Sequence, residues 1–179
     1  MIEPGGQGAD EGGPELPPAE PERVFVVFSV APAWFAVEAA AAEELAVLQP
    51  PTPVPGAPRY VAGLANVRGR ITALLDLRSF LALEAPAAEP AEEAPLGRIL
   101  VVSSGRMRAG IISDRVSGLA KLAAQALSAP DVAPGERAYR FAQAQFHDPT
   151  AAAEGAPRSV VVLDVARLLE AARAERNPA

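Results

Sequence analysis

The chain contains no cysteine among its 179 residues. Disulfides, thiolate metal sites and cysteine nucleophiles are excluded by that absence, and a reducing cytoplasm is compatible with it. There is one histidine, His147, in a polar stretch beside Asp148 and Pro149. A single histidine with no cluster of ligands around it reads as a solvated loop residue rather than a metal ligand. No apolar run approaches the ~18 residues needed to cross a membrane. The N-terminus has no basic start followed by an apolar stretch, so it does not read as a signal peptide. The expectation is a cytoplasmic protein with no direct membrane contact. Aromatic residues are scarce at 5%, so the core must be built from Val, Leu, Ile and Ala, with Phe25, Phe28, Phe35, Phe80 and Trp34 as its larger pieces.

Basic residues are missing from the first 22 positions, which carry six acids, five glycines and five prolines. Such a segment cannot bury enough surface to offset the entropy of ordering, and it is read as a disordered, solubilising tail. The remaining body holds 16 acids and 16 bases and is neutral, although the whole chain carries a net charge of -6. Nucleic-acid binding requires a basic footprint that neutralises phosphates, and neither part supplies one.

Signatures of catalysis are also missing. No Gly-rich phosphate cradle follows a strand and opens a helix, and no serine sits in a nucleophile elbow. The carboxylate pairs Glu43-Glu44 and Glu92-Glu93 are adjacent in sequence, and neighbours on a helix or strand do not converge on one substrate. They read as solvated faces. A small hydrolase using His147 and nearby acids is the remaining enzymatic alternative, on a poor scaffold for a positioned base.

What is present is a succession of short strands. Val24-Phe25-Val26-Val27-Phe28 is β-branched and aromatic, hence a buried strand. Ala31-Pro32-Ala33 is a turn, and residues 34–37 return as a second strand. The Ala-rich stretch 38–43 predicts one or two helical turns, and 45–48 a short strand. Five prolines in 49–58 predict a stiff extended loop. Residues 59–65 read as a helical turn and 67–75 as strand around Gly69. Asp76 is placed to cap a helix over 77–83. Residues 84–96, with Glu, Ala and three prolines, read as a linker. Strands follow at 98–103, 107–112, 116–122, 139–146 and 159–163. The helix 165–176 places Val165, Leu168, Leu169 and Ala172 on one face. The two halves rhyme: strand, tight turn and strand at 24–37 and 98–112, and an apolar strand, Leu-Asp and a helix at 71–78 and 160–167. This weak repeat predicts two similar small β-barrels.

Three segments together resemble the chemotaxis coupling-protein (CheW-like) family. The most specific is Pro58-Arg59-Tyr60-Val61-Ala62-Gly63-Leu64-Ala65-Asn66-Val67-Arg68-Gly69-Arg70-Ile71 with Leu75-Asp76-Leu77-Arg78. The family form is an aromatic residue, a glycine, Asn-apolar-Arg-Gly, and a strand ending in an Asp-Leu-Arg-like turn. Phe35-Ala36-Val37-Glu38 with Glu44-Leu45, and Ala109-Gly110-Ile111-Ile112-Ser113-Asp114-Arg115-Val116, are similar to two further family segments. The resemblance spans residues 23–172.

It implies an all-β fold of two intertwined five-stranded SH3-like barrels with short helices and a C-terminal helix. The domain would cover 23–176: a first barrel at about 23–83, the linker 84–96, a second barrel at about 97–158, and a closing strand and helix at 159–176. It implies a non-catalytic adaptor, without cofactor or metal, that joins a chemoreceptor signalling tip to the regulatory domain of a histidine kinase. Glu44, Arg68 and Gly69 are the residues it points to at the kinase. Val26, Val37, Ala40 and Val101 are those it points to for the receptor groove. Asp76 and Arg78, and Asp114 and Arg115, are read as structural. The chain departs from the family in the four alanines 39–42, in Ala142 and Ala144 where relatives often have glycine, and in a long loop at 147–157. A specialised adaptor that binds receptor without kinase, in a non-flagellar motility pathway, is the second reading.

Overall fold

Ten strands and two helices are laid out in the computed structural model, which describes residues 22–83, 97–131, 136–148 and 158–175. The strands are β1 (Arg23–Val30), β2 (Ala33–Glu38), β3 (Ala42–Val47), β4 (Val61–Val67), β5 (Arg70–Asp76), β6 (Arg98–Ser104), β7 (Met107–Ser113), β8 (Arg115–Leu122), β9 (Ala142–His147) and β10 (Ser159–Leu163). The helices are α1 (Leu77–Leu81) and α2 (Val165–Glu175). The expected acidic tail, save Glu22, the expected linker 84–96 and the loop 149–157 lie outside the described residues.

The strands form two five-stranded sheets, ordered β8-β1-β2-β10-β9 and β3-β6-β7-β5-β4. Exchanging β1–β5 for β6–β10 turns one order into the other. The repeat is therefore real, but the halves do not fold side by side. Each barrel takes its first two strands from one half and its other three from the other half. Of the four pairings that join the halves, two are parallel, with Val161 opposite Phe35 and Leu75 opposite Ile111. All other pairings within the sheets are antiparallel.

Burial follows this exchange. Phe25, Val27, Ala36, Phe146, Val160 and Val162 fill one barrel. Ala65, Val67, Leu74, Ile99 and Val101 fill the other. The largest cluster joins Phe28, Phe35, Leu75, Phe80, Leu100 and Phe141 with Leu168 and Leu169 of α2. Phe25, Phe28, Phe35 and Phe80 are fully buried as expected. Trp34 packs only at the margin, its ring covered by the Arg158 guanidinium at 3.9 Å.

Local chemistry explains the elements. The Asp76 carboxylate accepts from the Arg78 N–H at 2.9 Å and so starts α1. Asp164 does the same for α2 through the Arg167 N–H, and Val165, Leu168, Leu169 and Ala172 form the buried face of that helix.

Three readings of local structure are corrected. Residues 59–65 are not a helical turn, because β4 runs from Val61 and is drawn into the sheet by β5 and by Thr52. The Thr52 and Leu64 backbones exchange hydrogen bonds of 2.8 and 2.9 Å. A bulge at Val61/Gly63 and a Gly63 φ of +145° blur the alternation that would have marked a strand. The alanine run supplies only a single 3-10 turn, Ala39–Ala41, since Ala42 already pairs with Val102 in the sheet. Tertiary pairing overrides helix propensity there. The stretch 139–146 begins as a 3-10 turn, Arg137–Phe141, that buries Ala138 and Phe141, and becomes strand only at Ala142.

Candidate functional site

Arg68 and Gly69 form the two-residue turn between β4 and β5, flanked by the pair Val67–Arg70. Their φ values are +49° and +82°. Two positive φ values in a two-residue loop match the right-handed twist of the flanking strands. Glycine takes this conformation freely, whereas an arginine in it costs ~1–2 kcal/mol. The arginine is thereby thrown off the end of the barrel. Its Nε meets the Glu44 carboxylate at 3.0 Å while its side chain stays 78% exposed.

Glu44 does not act alone. β3 and β6 shift register between Ala42 and Glu44, leaving Glu43 as an extra, bulged residue. The bulge breaks the alternation of sides and turns both carboxylates toward Arg108 on β7. Arg108 donates from Nε to Glu43 at 2.7 Å and from Nη2 to Glu44 at 2.8 Å, and its Nη1 reaches the Thr72 hydroxyl. Outside, Arg70 approaches Glu43 at 3.6 Å. Arg108 is 11% exposed and Glu44 15%. The Arg108 hydrogen bond, then one from the Ser103 hydroxyl, hold the Glu43 carboxyl below its ordinary pKa against the opposing effect of burial. The expectation that Glu43 and Glu44 do not converge is corrected by this bulge, although Glu43 itself stays exposed. Arg108 is not legible in the sequence, because a single arginine in an apolar strand carries no signal of its partners.

Leu45, Val47 and Ile71 are all exposed, Ile71 at 77%. Ile71 stands opposite Asn66. Asn66, Val47 and Arg68 border one cavity of about 280 Å³ between the ends of β3 and β4. This end of the barrel thus carries an exposed arginine beside a largely apolar cavity.

The four residues expected at a receptor groove are dispersed. Val37 and Val101 are wholly enclosed, in the central cluster and in one barrel respectively. Val26 is partly buried against the central cluster. Ala40 is exposed and lines a cavity of about 290 Å³ with Glu38, Ser103, Ser104, Asp164 and Ala166.

The pseudo-twofold gives that cavity a counterpart. Asp114 of one half occupies the register position of Ala40 in the other, Arg78 that of Ala166, and Ala31 that of Gly105. At the first mouth these groups are locked together. Arg78 reaches Asp114 at 3.1 Å and the Ala31 carbonyl at 3.3 Å, and the Ala31 N–H donates to Asp114 at 2.7 Å. At the second mouth the equivalent positions carry two alanines and a glycine, and the space is open. Arg115, named with Asp114, is exposed and lies next to this lock.

His147 is the exposed last residue of β9, and among the described residues no three His, Asp or Glu side chains gather as a metal site. Among those residues, too, no helix is long and apolar enough to cross a membrane.

Residues 24–173 match the family described as CheW-like domain. A chemotaxis protein CheW of Rhizobium meliloti (strain 1021) is 30% identical over 113 residues, 62% of this chain and 69% of that protein. A chemotaxis protein CheW of Bacillus subtilis (strain 168) is 31% identical over 93 residues, 52% of this chain and 56% of that protein. The crystal structure of the scaffolding protein TtCheW from Thermoanaerobacter tengcongensis superposes with a TM-score of 0.64 at 19% identity, covering 83% of this chain and 92% of that one.

Proposed function

The chain belongs to the CheW-like domain family, and from that premise we propose that it is a non-catalytic adaptor coupling a chemoreceptor signalling tip to the regulatory domain of a chemotaxis-type histidine kinase. The adaptor unit is residues 23–176, working in the cytoplasm at receptor clusters. The observation that carries the reading is Arg68, held on a costly backbone conformation and left exposed. Strain kept at a surface residue points to a task performed there rather than to folding. Glu44 fixes its Nε, Gly69 completes the turn, and the cavity that Arg68 shares with Ala46, Val47, Ala65 and Ile99 supplies apolar area beside it. A fixed arginine set beside apolar area is a common anatomy of a strong protein contact. This is the kinase-facing end.

The open mouth at Ala40 is the receptor side. It lies between the halves, and Ala40, Ala41 and Ala166 leave room for a bulky side chain from a helical receptor tip. Of the other receptor residues expected, Val26 keeps some surface. Val37, in the central cluster, and Val101, in one barrel, act from within the core. Two modest contacts of this kind gain strength from effective concentration in an array.

The test is a pair of pull-downs on the full chain, one with a receptor signalling tip and one with the kinase regulatory domain, each repeated with Arg68→Glu. Binding of both partners, with Arg68→Glu weakening the kinase contact alone, supports the coupling role. Binding of the receptor only identifies a one-sided adaptor instead.

A further inference from the structure

We propose that Arg108 is a positioning residue for Arg68: a mostly buried cation that orients the Glu44 carboxylate so that the exposed arginine is presented to the partner in one geometry. The proposal rests on the kinase-facing role given to Arg68 above.

The geometry is that of a relay with one inner and two outer cations. Glu44 uses one oxygen, Oε1, for Arg108 and the other, Oε2, for Arg68. Glu43 places Oε2 between Arg108 at 2.7 Å and Arg70 at 3.6 Å. Each acid therefore joins the same inner guanidinium to a different arginine of the β4–β5 hairpin. The Arg108 fork can satisfy two carboxylates at once because it is planar and carries five N–H donors, which a lysine cannot match. Its third arm is tied to Thr72, whose hydroxyl in turn donates to the Arg70 carbonyl at 3.2 Å. Arg108 is thus fixed to the hairpin that carries Arg68 as well as to the bulge that carries Glu44.

An exposed ion pair alone holds a long side chain weakly, since solvent screens it and side-chain entropy opposes it. Glu44 is different, being mostly buried and anchored from behind. An anchored acceptor has little freedom left to lose, so it can hold Arg68 before the partner arrives. Preorganisation of that kind raises affinity without adding any contact to the partner.

The experiment uses the full chain with Arg108→Met, Arg108→Lys and Arg68→Ala, and the double variant Arg68→Ala/Arg108→Met. Two readouts are taken: the nitrogen-15 relaxation of the Arg68 Nε–H in the free protein, and the affinity for the purified kinase regulatory domain and for a receptor tip peptide. Arg108→Met is expected to mobilise the Arg68 Nε–H and to weaken kinase-domain binding by up to about tenfold, the loss from having to order one long side chain on binding, with receptor-tip affinity unchanged. Arg108→Lys is expected to restore only part of both. The double variant should bind no more weakly than Arg68→Ala, because a positioning residue has nothing to position once its target is gone. An Arg68 Nε–H that stays rigid in Arg108→Met overturns the proposal, as does a further loss in the double variant. Failure of the wild-type chain to bind the kinase domain would instead refute the coupling role, while the relaxation measurement would still decide whether Arg108 orders Arg68. If Arg108→Met does not fold, Arg108→Lys carries the test, since one ammonium cannot hold both carboxylates and must leave the Arg68 Nε–H more mobile than in the wild type; an Arg68 signal unchanged in Arg108→Lys overturns the proposal.

Discussion

The Tyr60 hydroxyl donates a 2.9 Å hydrogen bond to the Ala172 carbonyl, tying the segment before β4 to the last turn of α2. The last four carbonyls of a helix have no partner within it, and Ala172 is among them. Tyr60 also meets Phe80 edge-on at 5.0 Å, and Phe80 packs on Phe141 at 5.2 Å. One side chain therefore joins the hairpin, α1 and α2. Tyr60→Phe keeps the ring and removes the donor. It should lower unfolding free energy by about 1–2 kcal/mol, the cost of leaving a buried acceptor unsatisfied, as read by urea denaturation with an unchanged m-value.

Gly63 owes its place to contact with a neighbouring backbone. A Cβ there would lie 2.4 Å from the Thr52 carbonyl oxygen, and its φ of +145° is unfavourable for any other residue. Gly63→Ala should detach the proline-rich loop from β4 and reduce soluble yield, whereas Gly56→Ala, with open space around its Cβ position, should cost only the strain of its own positive φ. Loop proteolysis rates in the two variants check this.

Arg68 invites the opposite experiment. Asparagine tolerates a positive φ better than arginine does. Arg68→Asn removes an exposed ion pair of ~0–1 kcal/mol and relieves ~1 kcal/mol of strain. The variant should match or slightly exceed the wild type in thermal stability while losing kinase-domain binding. A clear drop in melting temperature would mean that the arginine serves the fold.

Acid should weaken the charge relay in a defined direction. The folded-state pKa of Glu43 lies below its ordinary value, chiefly through the Arg108 hydrogen bond. A depressed carboxylate pKa stabilises the folded state above the unfolded value of ~4.3, and that contribution is lost as pH falls through the folded value. The stability difference between wild type and Arg108→Met should therefore be greatest near neutrality and narrow on acidification, measured by urea unfolding across that range.

The sequence carried the strands with β-branched and aromatic runs, both capping aspartates and the buried face of α2, because each is written in neighbouring residues. It carried the repeat as well, through two strand–Leu-Asp–helix passages. The exchange of strands between the halves was not legible from pattern, since parallel pairs such as Leu75–Ile111 join segments that contain no mutual signal; only the family resemblance implied it. The Glu44–Arg68 pair was anticipated by that resemblance. The convergence of Glu43 on Arg108 was hidden, because a bulge of one residue cancels the alternation on which strand reading depends. The resemblance points to Val37 and Val101 for the groove, and only their packing shows them enclosed.

Strand exchange also sets an order for the newborn chain. One barrel needs β3 to β7 and can close once Ser113 has been made. The other is built around β1 and β2, the first strands synthesised, yet their partners β8 and β10 come last. At ~5–20 residues per second, β1 waits roughly 4–15 seconds between the completion of β2 and the start of β8. During that interval Phe25, Phe28 and Phe35, all fully buried in the finished fold, lack the strands that cover them. The segment most exposed to misassembly is thus the beginning of the domain, and its protection depends on how soon the end arrives.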